Sequence, residues 1–287
     1  MARYFENFNT AQYNDETCRN ITHRAGITRD VMNRASVFYP YQAKEGERPD
    51  TLSHLYYEDS MMEWLIFFAN GIIDPYYGWY LSGDQFNQYI ISKYGSLAEA
   101  QLKTHHYQVN WVGDDTKLTI SAYEGLQCVA PINLKRYWSP VLNEYGGVVF
   151  YQRAPLDLTV TTNRIVRLTM SSSTGFEVGE LVSQLSGETV IGYAEIVSMD
   201  PESITLKNVN GTFSAGLPIV GFNTSTQATS ITVNVLIENI PTVEQTYWRA
   251  VSYYDYEELL NEQRKTVKLI DKRYAEQAQL NLQSVMS

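Results

Sequence analysis

The sequence predicts an α+β protein: a helical unit towards the N-terminus, an inserted small all-β domain of barrel or sandwich type, and a long C-terminal helix. Three observations carry this. Residues 156–240 hold a single Tyr, Tyr193, and no Trp, yet seven of the 17 Gly, while the rest of the chain has 21 of the 22 Tyr and all five Trp. Helix start and stop signals alternate from Asp50 to Gly95. The stretch Tyr254 to Val285 contains neither Gly nor Pro.

The elements follow in order. Residues 1–35 form an N-terminal arm, polar with scattered aromatics (Tyr4, Phe5, Phe8, Tyr13), a composition suited to ordering on a partner. Ser36 to Ala43 reads as a strand, and Glu45 to Asp50 is a polar turn containing Pro49. Asp50 or Thr51 caps a helix through Tyr57, and Ser60 to Asn70 reads as a second helix stopped by Gly71. That second helix is apolar on nearly every side, so Met62, Trp64, Leu65, Phe67 and Phe68 must face both their own domain and something further. A third helix starts at Ser82 to Asp84, runs to Tyr94 and stops at Gly95. Residues 36–110 are read as one domain and 111–155 as a connecting β segment.

The insert, 156–240, reads as short β-branched strands: Arg164 to Met170, Glu180 to Leu185, Thr189 to Ser198, Ser203 to Val209 and Ser230 to Ile237. Ser186-Gly187, Asp200-Pro201 and Asn210-Gly211 supply turn signals between them. The flanks echo each other, Arg136-Tyr137-Trp138-Ser139-Pro140-Val141 before the insert and Thr246-Tyr247-Trp248-Arg249-Ala250-Val251 after it, which predicts two neighbouring strands of a parent fold. Residues 241–287 supply the return strand and an amphipathic helix. Tyr256, Leu260, Val267, Ile270, Tyr274 and Ala278 fall near one stripe of a helix up to ~48 Å long at about 1.5 Å per residue. Such a helix docks on a neighbour or folds back on its own chain.

Composition excludes several functions. A net charge of -10 repels phosphate backbones, and no basic cluster with interleaved aromatics offsets it, so direct nucleic-acid binding is disfavoured. Cys18 and Cys128 stand apart and in no Cys/His pattern, implying synthesis in a reducing cytosol and no zinc site. The start of the chain lacks a basic region followed by an apolar core. The longest apolar run, Trp64 to Ala69, is far shorter than the ~20 residues that span a bilayer, so neither export by a standard signal nor membrane insertion is expected. Adjacent His105-His106 project in different directions and lack an acidic or Cys partner. Asp114-Asp115 and Glu257-Glu258 read as solvated faces, because glycosidase carboxylates must face each other across a cleft. No G-x-S-x-G, phosphate loop or HExxH occurs. No enzyme, cofactor or metal is expected.

What remains is contact surface. Asn70 to Gly95 packs five Tyr, one Trp and one Phe around Asp74-Pro75. These rings plug a local core, or they exceed what a module of ~50 residues can hide and pack on another chain. In the second reading Trp79 with Tyr76 or Tyr77 is an inter-subunit anchor. The residues assigned to partner contacts are Trp64, Phe68, Asp74, Pro75, Tyr76, Tyr77, Trp79, Phe86, Tyr253, Tyr254, Tyr256, Leu260, Val267, Ile270 and Tyr274.

The order from Val37 to Ile73, a strand, a polar turn with Asp50-Thr51-Leu52, a helix bearing Tyr56, a second apolar helix and Asn70, resembles a LysM module. The continuation is more specific: Trp64, Asn70-Gly71-Ile72, Asp74-Pro75-Tyr76-Tyr77-Gly78-Trp79, Leu81-Ser82, Phe86, Tyr89-Ile90 and Lys93-Tyr94-Gly95. With Val251-Ser252-Tyr253-Tyr254-Asp255-Tyr256-Glu257-Glu258, Asn261-Glu262, Arg264-Lys265 and Lys268-Leu269-Ile270, it is similar to the LysM-like baseplate wedge family of contractile-tailed bacteriophages (myoviruses). The resemblance covers roughly 36–110 and 247–275, and the insert departs from it. It implies a virion protein made in the host bacterial cytoplasm, present in several copies as a closed ring. Its implied partners are other baseplate wedge proteins and sheath-initiator-like and hub proteins, and it bridges adjacent wedges around the hub without catalysis. The LysM likeness alone implies a rival, a tail module binding peptidoglycan or N-acetylglucosamine polymers.

Overall fold

The computed structural model describes residues 8–20, 26–27, 29–109 and 115–286. Tyr4, Phe5 and Asp114 of the sequence reading lie outside these. The chain divides into one unit made of 1–93 with 257–287 and a second made of 94–256.

In the first unit, a short hairpin (Thr10–Tyr13, Glu16–Arg19) precedes the strand Phe38–Gln42 and the helix Pro49–Tyr57. Pro49 suits the first helical turn because it has no N–H to leave unpaired, and the helix ends where Glu58 adopts φ 63°. Asp59 then accepts the Met61 N–H at 2.9 Å and opens a 3₁₀ turn, Ser60–Met62, that leads into the helix Glu63–Asn70. Gly71, at φ 64°, stops that helix in the left-handed region open to glycine. A third helix, Gly83–Tyr94, follows.

The continuous C-terminal helix expected from Tyr254 to Val285 is not formed. The chain makes a helix, Tyr253–Arg264, a strand, Thr266–Ile270, and a second helix, Lys272–Met286. The cause is legible afterwards. Thr266-Val267-Lys268-Leu269 alternates polar and apolar residues with β-branched members, and pairing with a waiting edge outweighs helix propensity. The strand runs antiparallel to Phe38–Gln42, with Leu269 opposite Tyr39, Val267 and Leu269 buried, and Thr266 and Lys268 in solvent. Asn70 locks it: its side-chain amide donates to the Ile66 and Lys268 carbonyls at 2.8 and 2.9 Å, and its oxygen accepts the Lys268 N–H at 2.8 Å. The Tyr57 hydroxyl donates to the Ile270 carbonyl at 2.9 Å.

This arrangement explains the helix that is apolar all round. Ile66 joins Ala43, Leu52, Trp79, Val267 and Leu269 in one cluster. Trp64, Leu65 and Ala69 join Phe8, Ile270, Ala275 and Leu282 in another. The "something further" required by the sequence is therefore the chain's own C-terminal segment, and the last helix folds back through Ala275 and Leu282.

The second unit contains a closed six-stranded barrel whose strands lie in the order Arg164–Met170, Ser203–Gly211, Thr189–Asp200, Leu181–Ser186, Pro218–Gly221, Gln227–Glu238. Period-2 alternation builds its interior: Val166, Leu168 and Met170 point in while Arg167 is exposed. One polar group inside, Gln184, is fully paired. Its amide nitrogen donates to the Ser214 carbonyl at 2.8 Å and to Ser230 Oγ at 3.0 Å, and its oxygen accepts the Ser214 N–H at 2.6 Å.

Outside the barrel, Trp138–Leu142 pairs with Val148–Arg153, and Arg249–Ser252 pairs with Thr104–Val109. The two Tyr-Trp flanks thus enter different sheets and are not neighbouring strands. Their similarity has another use: the Tyr137 and Tyr247 rings stack at 4.5 Å, and Trp248 Nε1 donates to the Tyr137 hydroxyl at 2.8 Å. Fully buried Glu244 accepts from the Tyr137 hydroxyl and from Arg136 Nη2, both at 2.5 Å, and from the Asn133 N–H at 2.7 Å. Burial and then the carboxylate beside it push the Tyr137 phenol up to about 12.

Two outcomes follow. Leu269→Ala empties a fully buried position of the return strand and should cost ~2–5 kcal/mol in urea unfolding of the full chain. The Tyr137 contribution to stability is complete below pH ~10 and is lost as pH rises towards about 12, because the unfolded phenol ionises first. An alkaline absorbance titration should accordingly lose one of its late-titrating phenols in Tyr137→Phe, while Tyr57 and Tyr107, which burial also raises, still titrate late.

A candidate interface on an aromatic turn

The turn between the second and third helices is built by one carboxylate. Asp74 Oδ1 accepts the N–H of Tyr76 at 2.9 Å and of Tyr77 at 3.3 Å, while the Asp74 carbonyl accepts the Gly78 N–H at 2.8 Å. Gly78 is required by space, since a Cβ there would sit 2.5 Å from the Asp74 carbonyl oxygen. Trp79 anchors the far end: its ring is 5% exposed and its Nε1 donates to the Glu47 carbonyl at 2.7 Å. The turn so held leaves Ile73 at 97% and Tyr76 at 80% exposure. Tyr77, half-exposed, leans its ring on Tyr89 at 5.2 Å.

The residues assigned to partner contacts from sequence are scattered by burial. Asp74, Pro75, Tyr76, Tyr77 and Tyr274 are exposed. Trp64, Trp79, Phe86, Val267 and Ile270 are buried. The first two and last two of these sit in the two clusters of the first unit, so those rings and side chains are hidden by this polypeptide itself. Phe68, Tyr253, Tyr254, Tyr256 and Leu260 are half-buried: Phe68 packs edge-on against Trp64 at 5.5 Å, and Tyr253 lies tilted against Tyr94 at 5.0 Å. Ile73 was missed by the sequence reading, although an apolar residue directly before an Asp-Pro turn, with no helical or strand period to bury it, was the available signal.

The chemistry-bearing residues make structure. His105 stacks on Tyr256 at 3.9 Å, and its Nδ1 lies 2.8 Å from that of His106. Glu257 is buried and takes an ion pair from Lys93 at 2.6 Å, whereas Glu258 is exposed, so the two carboxylates do not share a face. Burial of Glu257 overturns its reading as part of a solvated face. The Glu257 and Tyr89 oxygens hold the Lys93 ammonium well above the ordinary lysine range, against the opposing effect of its own partial burial. Among the described residues no group of three or more His, Cys, Asp or Glu could hold a metal ion, and no helix is long and apolar enough to cross a membrane.

Comparison with known proteins falls on this part of the chain. Residues 28–121 match the family model described as base plate wedge protein 53. The chain is also similar to the baseplate wedge protein gp53 of Enterobacteria phage T4, at 31% identity over 80 residues, 27% of this chain and 41% of that protein. This chain thus covers less than half the length of that relative. The barrel and the return strand lie outside the family match, while the Asp74 turn lies inside it. Over residues 28–121, the resemblance to baseplate wedge proteins of contractile-tailed bacteriophages is borne out.

Proposed function

We propose that this chain is a non-catalytic structural component of a phage tail baseplate, resident in the virion, that bridges and clamps adjacent wedges around the tail hub. Several copies in a closed ring, in contact with other wedge, sheath-initiator-like and hub proteins, complete the reading. The observation that carries it is the pre-shaped turn inside the family-matched segment. It spends backbone hydrogen bonds and a buried Trp on keeping Ile73, Tyr76 and Tyr77 in water, where their exposure is unfavourable unless a partner covers them. Tyrosine suits that use, because it offers a large, stiff and amphipathic surface at low entropic cost. In this reading Tyr76 and Tyr77 make the contact and Asp74, Gly78 and Trp79 position it.

The strand, two helices and returning strand of the first unit support a LysM-like description, with the second strand drawn from residues 266–270. That same likeness favours a second reading, a module that binds peptidoglycan.

Tyr76→Ala/Tyr77→Ala should abolish incorporation of the full chain into tails in an assembly assay while leaving its thermal unfolding unchanged. Incorporation at the wild-type level would remove the contact reading. Trp79→Ala should instead lower stability by ~3–5 kcal/mol, as expected for emptying a buried aromatic site. The full chain should pass unretained through purified peptidoglycan, and specific retention would favour the second reading.

A further inference from the structure

The second unit carries two unused apolar features, built almost wholly from residues beyond the family match. The first projects. At the tip of the hairpin Trp138–Leu142/Val148–Arg153, Asn143 Oδ1 accepts the N–H of Tyr145 at 3.0 Å and of Gly147 at 2.8 Å. The backbone closes the loop with Asn143 N–H to the Gly147 carbonyl at 2.8 Å and Gly146 N–H to the Asn143 carbonyl at 3.0 Å. Gly146 takes φ 79°, which a side chain would strain. The result is a stiff tip holding Tyr145 at 94% exposure, with Leu142 at 56% and Val149 at 53% behind it.

The second feature is a hollow. A groove of about 230 Å³ lies on the outer wall of the barrel, bounded by Leu102, Leu181, Val190, Tyr193 and Phe222 with Ser183 among them. Val190 and Phe222 are half in water. The volume falls below the roughly 300–1,000 Å³ typical of drug-sized ligands, so it suits one large side chain better than a small molecule. Its walls are almost wholly apolar, with a serine able to face a hydroxyl.

The geometry points to a second copy of this chain as the occupant, with Tyr145 of one copy inserted into the barrel groove of the next. Size, apolar character and Ser183 in the wall match a tyrosine. Tyr145 is offered on a loop whose shape is already fixed, which removes most of the ordering cost of insertion. Projection and hollow use different residues of one unit, so a one-way contact is head-to-tail and closes into a ring if the rotation permits, whereas a reciprocal one closes as a two-fold pair. Tyr145 and every groove residue except Leu102 lie outside residues 28–121, which gives the barrel a task separate from the Asp74 turn. Like copies of net charge -10 repel at long range, so this association should strengthen as salt screens them, opposite to capture of a basic partner.

The test places a photo-crosslinking benzoylphenylalanine at position 145 of the full chain, in a mixture of isotopically light and heavy copies at low and high salt, and repeats it in assembled tails. Light-to-heavy crosslinks from 145 to the segment 181–193 or to Phe222, more abundant at high salt, are expected. Their loss in Val190→Glu, at an exposed rim position, and retention of sedimentation behaviour in Tyr145→Phe but not Tyr145→Asp, would agree. Crosslinks only to another tail protein, crosslinks to a different face, or none in assembled tails would each overturn the proposal. None of these results depends on Tyr76 or Tyr77, so failure here is distinguishable from failure of the wedge-clamping reading.

Discussion

The pairing of Thr266–Ile270 with Phe38–Gln42 is the interaction on which the first unit depends. Neither strand has another partner among the described residues, and a two-stranded ribbon alone is marginal in water. Packing against the helix Glu63–Asn70 turns that ribbon into a sheet with a core on it, and the Asn70 amide, bonded to both backbone groups of Lys268, fixes its register. A slip of one residue would send Val267 and Leu269 into solvent and Lys268 into the core, so register and burial enforce each other. Val267 and Leu269 in turn share a cluster with Trp79, whose indole holds the end of the aromatic turn. The shape of the exposed turn is therefore conditional on residues nearly two hundred positions further along the chain.

Polar groups buried elsewhere serve the same end of fixing one arrangement. Asn261 brackets the backbone of Leu81, accepting its N–H at 2.9 Å and donating to its carbonyl at 3.0 Å, and the Glu257 to Lys93 pair lies one helical turn earlier. In the second unit Glu244 gathers Asn133, Arg136 and Tyr137 onto one carboxylate, and Glu180 accepts the N–H groups of Asn223 and Thr224 at 2.8 and 2.7 Å. Such groups gain little net energy over apolar packing, yet each tolerates only one partner geometry, so they specify where loops close.

Much of the fold was legible. The strand at 38–42, the three helices that follow and five of the six barrel strands announce themselves through local turn signals, glycine stops and β-branched alternation. Pro218–Gly221 is not read, and the first of those helices starts at Pro49 without a side-chain cap instead of at Asp50 or Thr51. The larger misses share one cause, since each depends on a distant partner. Thr266 to Ile270 satisfies a helical stripe and a period-2 strand equally, and only the open edge of residues 38–42 decides between them. The Tyr-Trp flanks look like paired strands, but what they share is a ring stack around Glu244, and sequence spacing cannot distinguish the two. At the candidate site the sequence revealed a surplus of aromatic surface but not its distribution: Trp79 and Tyr76 stand three residues apart, one 5% and the other 80% exposed, because Glu47 and the return strand claim the first.

The two projecting turns are answers to one physical problem. A ring kept in water gains binding energy only if it need not be ordered first, and a loop stiff enough for that has to satisfy its own backbone without help from a sheet or helix. Asp74 and Asn143 solve this alike, each aiming one side-chain oxygen at two N–H groups and placing a tyrosine two residues on. The same geometry needs a glycine close behind, for clearance at Gly78 and for φ at Gly146. Plain connecting turns use the same Asx bonds and glycines. What sets these two apart is the load they carry, a large ring held at 80% exposure on Tyr76 and 94% on Tyr145 by a backbone already satisfied within the turn.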